Sequence, residues 1–63
     1  MPIIRVEMWE GRDTQTKKNL VEKLTQVTSE VLNCPKQAVT IVIYDIPKHN
    51  WAQEGKLASE QSK

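Results

Sequence analysis

Residues Ile3 to Trp9 read Ile-Ile-Arg-Val-Glu-Met-Trp, with Ile4, Val6 and Met8 on one parity and Arg5 and Glu7 on the other. A period of two predicts a β-strand with one buried face. Glu10-Gly11-Arg12-Asp13 breaks the pattern, with Gly11 as pivot and Asp13 as the helix N-cap. From there to about Asn33 the spacing is helical. Leu20, Leu24, Val27 and Val31 recur on one stripe, widened by Val21 and Leu32, while Lys17, Lys18, Glu22, Lys23, Gln26 and Glu30 take the other faces as a solvated surface. Asn33 serves as C-cap and Pro35 stops the helix. Val39 to Ile46 is almost continuously β-branched or aromatic and lacks clean alternation, as in a strand covered on both faces.

Strand, helix and strand in this order form a parallel β-α-β unit with a right-handed crossover, because a helix of about 20 residues spans about 30 Å and returns the chain beside the first strand. Pro47 to Lys63 contains Trp51, Gly55 and Lys56-Leu57-Ala58, which predict a short hairpin or loop docking on a neighbouring subunit, with Ser59 to Lys63 frayed. One domain accounts for residues 1–63. A single helix covers only one face of two strands, so the other face and both sheet edges call for further copies.

The composition supports this need for association. The chain has 63 residues, 38% of them hydrophobic, and no Phe. At this length only about 60% of the unfolded surface is buried on folding. The usual remedies for so thin a core are a disulfide, a metal or self-association. A single cysteine, Cys34, excludes an internal disulfide, and one cysteine with one histidine, His49, cannot make a four-ligand structural zinc site. Self-association remains. Nine basic residues against eight acidic ones, a net charge of +1, give no electrostatic case for nucleic acid or an anionic membrane. No run of residues is apolar enough to span a bilayer, no signal peptide is evident, and the unpaired cysteine suits a reducing cytoplasm. Neither a cofactor nor a metal is called for.

No nucleophile motif or glycine-rich phosphate loop is present. Cys34 reads as a small residue at a helix end, and His49 as a polar loop residue that is at most a candidate base. Pro2 is the more informative position. The Met-Pro start invites removal of Met1, which leaves a secondary amine at the chain end. An α-amine has a pKa of about 7.7–8.0 before perturbation, and burial or a nearby cation lowers it toward the range where a general base works best. With Met1 retained, the Pro2 nitrogen is an amide and has no basicity. Arg12 stands at the carboxyl end of the first strand, where open α/β sheets bind ligands. Pro2 stands at the opposite end, more than about 20 Å away. A site joining the two must therefore come from two subunits.

In this order and spacing, Pro2, the Glu10-Gly11-Arg12 turn, the helix opening near Asp13, and Pro47-Lys48-His49-Asn50-Trp51 with Gly55 behind it resemble the 4-oxalocrotonate tautomerase family. Its superfamily also holds macrophage migration inhibitory factor. The resemblance runs over nearly the whole chain. It implies an isomerase with a β-α-β fold and a C-terminal hairpin, assembled as a hexamer, a trimer of dimers. It further implies that Pro2 is the catalytic amine moving a proton between carbons of a 2-hydroxy-dienoate or 2-oxo acid. Arg12 matches the carboxylate-binding arginine, whose fork suits that anion. Trp51 matches an aromatic wall. Thr40 falls where the prototype has a second arginine on strand 2. A neutral hydrogen bond is worth about 1 kcal/mol net, against about 1.5–3 for a charged one, so the developing dienolate is stabilised less. Arg5, Lys48 and Lys56 are possible replacement cations. Ala52 and Glu54 stand where small residues, often glycine, are common, which alters the hairpin at the site's rim.

Two other readings remain open. Relatives in the superfamily add water to unsaturated or halogenated acids with an acidic residue activating the water, for which Glu7, Glu10 and Asp45 qualify by type. A non-catalytic oligomeric binding module on the same fold is the other.

Overall fold

In the computed structural model, which describes residues 1–61, the alternating segment forms strand β1, Ile3–Trp9. Helix α1 runs Thr14–Leu32, and β2 runs Thr40–Ile46, entered through a 3-10 turn at Lys36–Ala38. A second 3-10 turn at Lys48–Asn50 leads into a small antiparallel hairpin of β3, Ala52–Gln53, and β4, Lys56–Leu57. A helical turn, α2, Ala58–Gln61, follows. Strands β1 and β2 are parallel, with Ile3 opposite Thr40 and Trp9 opposite Ile46. The ladder continues one bond past each end: Thr40 N–H donates to the Pro2 carbonyl at 3.0 Å, and Glu10 N–H donates to the Ile46 carbonyl at 3.1 Å. No helix among the described residues is long and apolar enough to cross a membrane.

Ile4, Val6 and Met8 are half-buried beneath α1, while Ile3, Arg5, Glu7 and Trp9 are exposed on the uncovered face. Their partners Val42 and Tyr44 share that uncovered face, as strand parity requires. The helix packs with Leu20, Val21, Leu24, Thr25 and Thr28, all half-buried. This corrects the expected stripe, since Val27, Val31 and Leu32 are 56%, 76% and 57% exposed. The cause is length. Nineteen helical residues span about 28 Å, whereas seven strand residues span about 23 Å, so the last turn of α1 overhangs the sheet. Val27 points to the side, away from the packed row of Leu24 and Thr28.

Lys17 is a second correction. It is half-buried rather than solvated, and its ammonium pairs with the carboxylate of Asp45 on the helix side of β2. It falls one turn before Leu20 and Val21 on the packed face, so its stem follows the helix–sheet seam. A pair this open to solvent contributes under about 1 kcal/mol. The tail also differs from the expected fraying. Ser59 to Gln61 belong to α2, whose first N–H, that of Ala58, donates to the Trp51 carbonyl at 2.7 Å. Residues 62 and 63 of that expectation lie outside the described residues.

No described side chain is buried in the single chain. The radius of gyration is 14.8 Å, against about 11 Å for a compact chain of this length. The accessible surface is 5080 Å², against about 4200 Å² for a folded monomer of this mass. The uncovered sheet face carries exposed Ile3, Tyr44 and Trp9. Sedimentation equilibrium should therefore give a mass several times the 7.3 kDa of one chain, with a melting temperature that falls on dilution. A concentration-independent monomer would contradict this account of the interior.

Candidate active site

The carboxyl end of β1 gathers four side chains of three kinds: a guanidinium, an ammonium and two indoles. Gly11, at φ 119°, turns the chain off the strand in a backbone region that L side chains rarely adopt. Asp13 then caps α1, its Oδ1 accepting from Thr16 N–H at 2.9 Å. Between these two fixed points sits Arg12, whose Nη1 reaches the Trp9 carbonyl at 3.4 Å. Arg12 does not pair with Glu10 or Asp13: among the described residues it makes no ion pair. Trp51 meets Trp9 edge to face, with centroids 5.9 Å apart and planes at 76°. Lys48 places Nζ 4.8 Å from the centroid of the Trp9 ring.

The tail delivers Trp51 and Lys48 to this end by a chain of local bonds. Asn50 N–H and Trp51 N–H close the 3-10 turn on the Pro47 and Lys48 carbonyls, at 2.8 and 3.2 Å. The hairpin behind them turns at Glu54 and Gly55, with φ of 54° and 75°. Two successive positive φ values are those of a type I′ turn, which suits the twist of the flanking strands. Gly55 adopts this at no steric cost, whereas Glu54 adopts it at a cost. This is the physical content of the departure at Glu54.

The other end of the sheet holds Pro2 and Thr40, joined by the bond from Thr40 N–H to the Pro2 carbonyl. Pro2 is half-buried and Thr40 exposed. Met1 is 93% exposed, so nothing in the fold holds it. The structure thus brings Pro2 together with Thr40, and Arg12 together with the Trp9–Trp51 pair. It does not bring Pro2 to Arg12, because all seven residues of β1 lie between them. No small molecule touches both within one chain.

The remaining candidates stand elsewhere. Arg5 and Glu7 are on the uncovered sheet face opposite Val42 and Tyr44, and with Tyr44 and Ile46 they line a shallow hollow that neither Pro2 nor Arg12 lines. Asp45 is held by Lys17. His49 is exposed in the 3-10 turn, and Lys56 lies in β4 opposite Gln53. Cys34 is half-buried after α1, its carbonyl accepting from the Ser29 hydroxyl. Among the described residues no group of three or more His, Cys, Asp or Glu side chains is placed to hold a metal ion. Trp9 is the site residue that sequence reasoning missed. Its signal was parity: a tryptophan in phase with Arg5 and Glu7 rather than with Ile4, Val6 and Met8.

Three comparisons bear on this arrangement. The family profile described as tautomerase enzyme matches residues 2–61. The chain is 38% identical over 60 residues to the 2-hydroxymuconate tautomerase of Comamonas testosteroni, covering 95% of both chains. It superposes on a structure of the 4-oxalocrotonate tautomerase isozymes from Methylibium petroleiphilum with a TM-score of 0.92 at 34% identity, over 98% of this chain and all of the other. A heterohexamer 4-oxalocrotonate tautomerase from Chloroflexus aurantiacus gives a TM-score of 0.92 at 27% identity, over 98% of this chain and all of the other.

Two expected outcomes test the local construction. Gly11→Ala should lower stability by about 1–2 kcal/mol in urea unfolding through backbone strain alone, since a Cβ there meets no atom within 4 Å. Thr16, through its side chain first and its backbone N–H second, holds the Asp13 carboxyl below its ordinary value of 3.8. A lowered folded pKa means stability that is full above the ordinary value and lost as pH falls through the folded one. The melting-temperature gap between wild type and Asp13→Asn should therefore be steady near neutrality and shrink below about pH 4. A gap that widens on acidification would show that the charged cap is not stabilising.

Proposed function

This chain belongs to the tautomerase family, and from that premise we propose that it interconverts enol and keto forms of a small 2-hydroxy-dienoate or 2-oxo acid. In this reading Met1 is removed, the Pro2 amine is the general base, and Arg12 anchors the substrate carboxylate. Trp51 walls the site, with Thr40 as a hydroxyl donor near Pro2. The observation that carries the reading is the separation of Pro2 and Arg12 to opposite ends of β1, in a chain that leaves no described side chain buried. Self-association is needed on both counts, and it lets the Pro2 end of one copy face the Arg12 end of another.

The chemistry follows from the parts. The amine takes the hydroxyl proton of the enol, the double bond shifts toward the oxygen as the carbonyl forms, and the same proton is returned to carbon. Arg12 fixes the carboxylate with a fork of two charge-assisted hydrogen bonds. Apolar walls disfavour the charged amine and so keep the base neutral. Thr40 offers one neutral hydrogen bond to the developing charge. A hexameric assembly, a trimer of dimers, is part of this reading. A cytoplasmic setting is too, supported by the lone half-buried thiol of Cys34. The hydratase alternative keeps only Glu10 as its acid, because Asp45 is engaged by Lys17 and Glu7 lies on the uncovered sheet face.

Intact mass should show the chain without Met1. Phenylenolpyruvate or 2-hydroxymuconate should be ketonised at rates that fall by about 10² or more in Pro2→Ala, which keeps an α-amine but loses its ring-fixed direction. In Arg12→Ala, kcat/KM should fall by about 10–100-fold, the worth of charged hydrogen bonds. Retained Met1, or turnover indifferent to Pro2, would leave the non-catalytic binding module as the better account. Mixing tests the two-chain site. Co-assembled Pro2→Ala and Arg12→Ala chains should recover up to about a quarter of wild-type activity, the share of sites with both residues intact under random assembly. Activity no higher than that of the separate variants would place both residues in one chain's site.

A further inference from the structure

Strand β1 pairs with β2 along one edge, and among the described residues no strand joins its other edge. The bonds at the ends of the ladder fix which backbone groups face outward. The Pro2 carbonyl and the Glu10 N–H both bond to β2. Successive residues alternate between the two edges of a strand, so Ile3, Arg5, Glu7 and Trp9 turn their N–H and C=O groups away from β2. The same residues are the exposed ones of β1. The open edge therefore reads apolar, positive, negative, apolar. Arg5 and Glu7 make no ion pair among the described residues. Arg12 Nη1 meets this edge at the Trp9 carbonyl, at 3.4 Å, and leaves that oxygen a second lone pair. The outer edge of β2 differs. By the same alternation, from Thr40 and Ile46, its outward groups belong to Ile41, Ile43 and Asp45. Asp45 is held by Lys17, and a charge on an edge discourages strand addition.

We infer that two copies of the chain join along β1, antiparallel and centred on Val6, with Arg5 of each copy paired to Glu7 of the partner subunit. This goes beyond the function proposed above and does not rest on it. The two-fold axis of such a pair stands perpendicular to the sheet, so exposed residues oppose exposed residues and both helices lie on one face. With Val6 at the centre, Ile3 faces Trp9 of the partner subunit and Arg5 faces Glu7 of the partner subunit, and the symmetry repeats each relation. Every outward N–H and C=O of β1 is then bonded. A centre one residue earlier sets Arg5 against its own copy, and one residue later sets Glu7 against its own copy. Both shifts place like charges opposite each other and leave one end of the strand unpaired. Charge and hydrogen bonding thus select the same register. The sheet grows to four strands in the order β2-β1-β1-β2, and its uncovered face stays open to further copies. Pro2 comes level with Glu10 of the partner subunit, where the turn toward Arg12 begins. The register therefore also brings the two ends of the strand together.

The test uses the full chain carrying Cys34→Ser, which removes its one thiol. Residues on the axis form a non-hydrogen-bonded pair with Cα atoms about 4.5 Å apart, within the span of a disulfide. Val6→Cys should therefore cross-link to a dimer under mild oxidation. Ile4→Cys, about 14 Å from its own symmetry mate, should not. Charge reversal is read by sedimentation equilibrium, with circular dichroism confirming the fold. Arg5→Glu and Glu7→Arg should each raise the dissociation constant of the dimer about tenfold or more, because each sets like charges opposite twice. Mixed in equal amounts, the two variants should associate with each other in preference to themselves. The doubly reversed Arg5→Glu, Glu7→Arg chain should regain most of the wild-type affinity. A monomeric wild type, or an associating Val6→Cys chain that cross-links no better than Ile4→Cys, would overturn the register. Reversed variants that associate no better mixed than alone would overturn the ion pair, and so would a doubly reversed chain as weak as the single ones. No readout here involves turnover, so failure of the tautomerase reading leaves each of them unchanged.

Discussion

Shortage of interior governs this molecule. One helix laid over two strands leaves Ile3, Tyr44 and Trp9 on an open face, and the chain has neither disulfide nor metal cluster among its described residues to compensate. The same geometry divides the chemistry. A seven-residue parallel strand carries Pro2 at its start and delivers Arg12 just past its end. The constraint that forces copies together is therefore also what can complete a site. In the proposed reading stability and activity draw on the same contacts, and a substitution that loosens the assembly acts on both.

Much of the frame was legible because its signals are local. The parity of Ile4, Val6 and Met8 set β1 from Ile3 to Trp9, and Asp13 and Asn33 marked the ends of α1 through cap chemistry that each residue carries by itself. Asn33 does adopt the left-handed conformation a C-cap requires, at φ 56°. Gly11 announced its turn for a similar reason. The pairing of β1 with β2 followed from helix length alone.

What escaped the sequence depends on which residues meet across elements. Periodicity placed Val31 and Leu32 on the packing stripe because it treats a helix as if its support were endless, whereas the sheet stops short of the last turn. Lys17 looked like surface by type, yet its position beside Leu20 and Val21 directs it along the seam to Asp45. The site showed the same division. Arg12 and Trp51 were candidates through the family resemblance, while the contacts of Trp51 and Lys48 with Trp9 became visible only with the 3-10 turn that carries both to the strand end. Thr40 was placed correctly at the start of β2, but its nearness to Pro2 is a backbone bond that no side-chain pattern encodes.

In the function proposed above, where the Pro2 amine is the base, that backbone bond has a consequence for how the base is held. A lysine or histidine must freeze several side-chain torsions to aim its nitrogen, and each loses entropy when substrate binds. Here the nitrogen belongs to a closed ring, and the carbonyl of the same residue is already locked to Thr40 N–H at 3.0 Å. The sheet itself thus acts as the positioning device, and little conformational freedom is left to lose as the reacting atoms approach. A base mounted in this way is preorganised by hydrogen bonds that folding has already made.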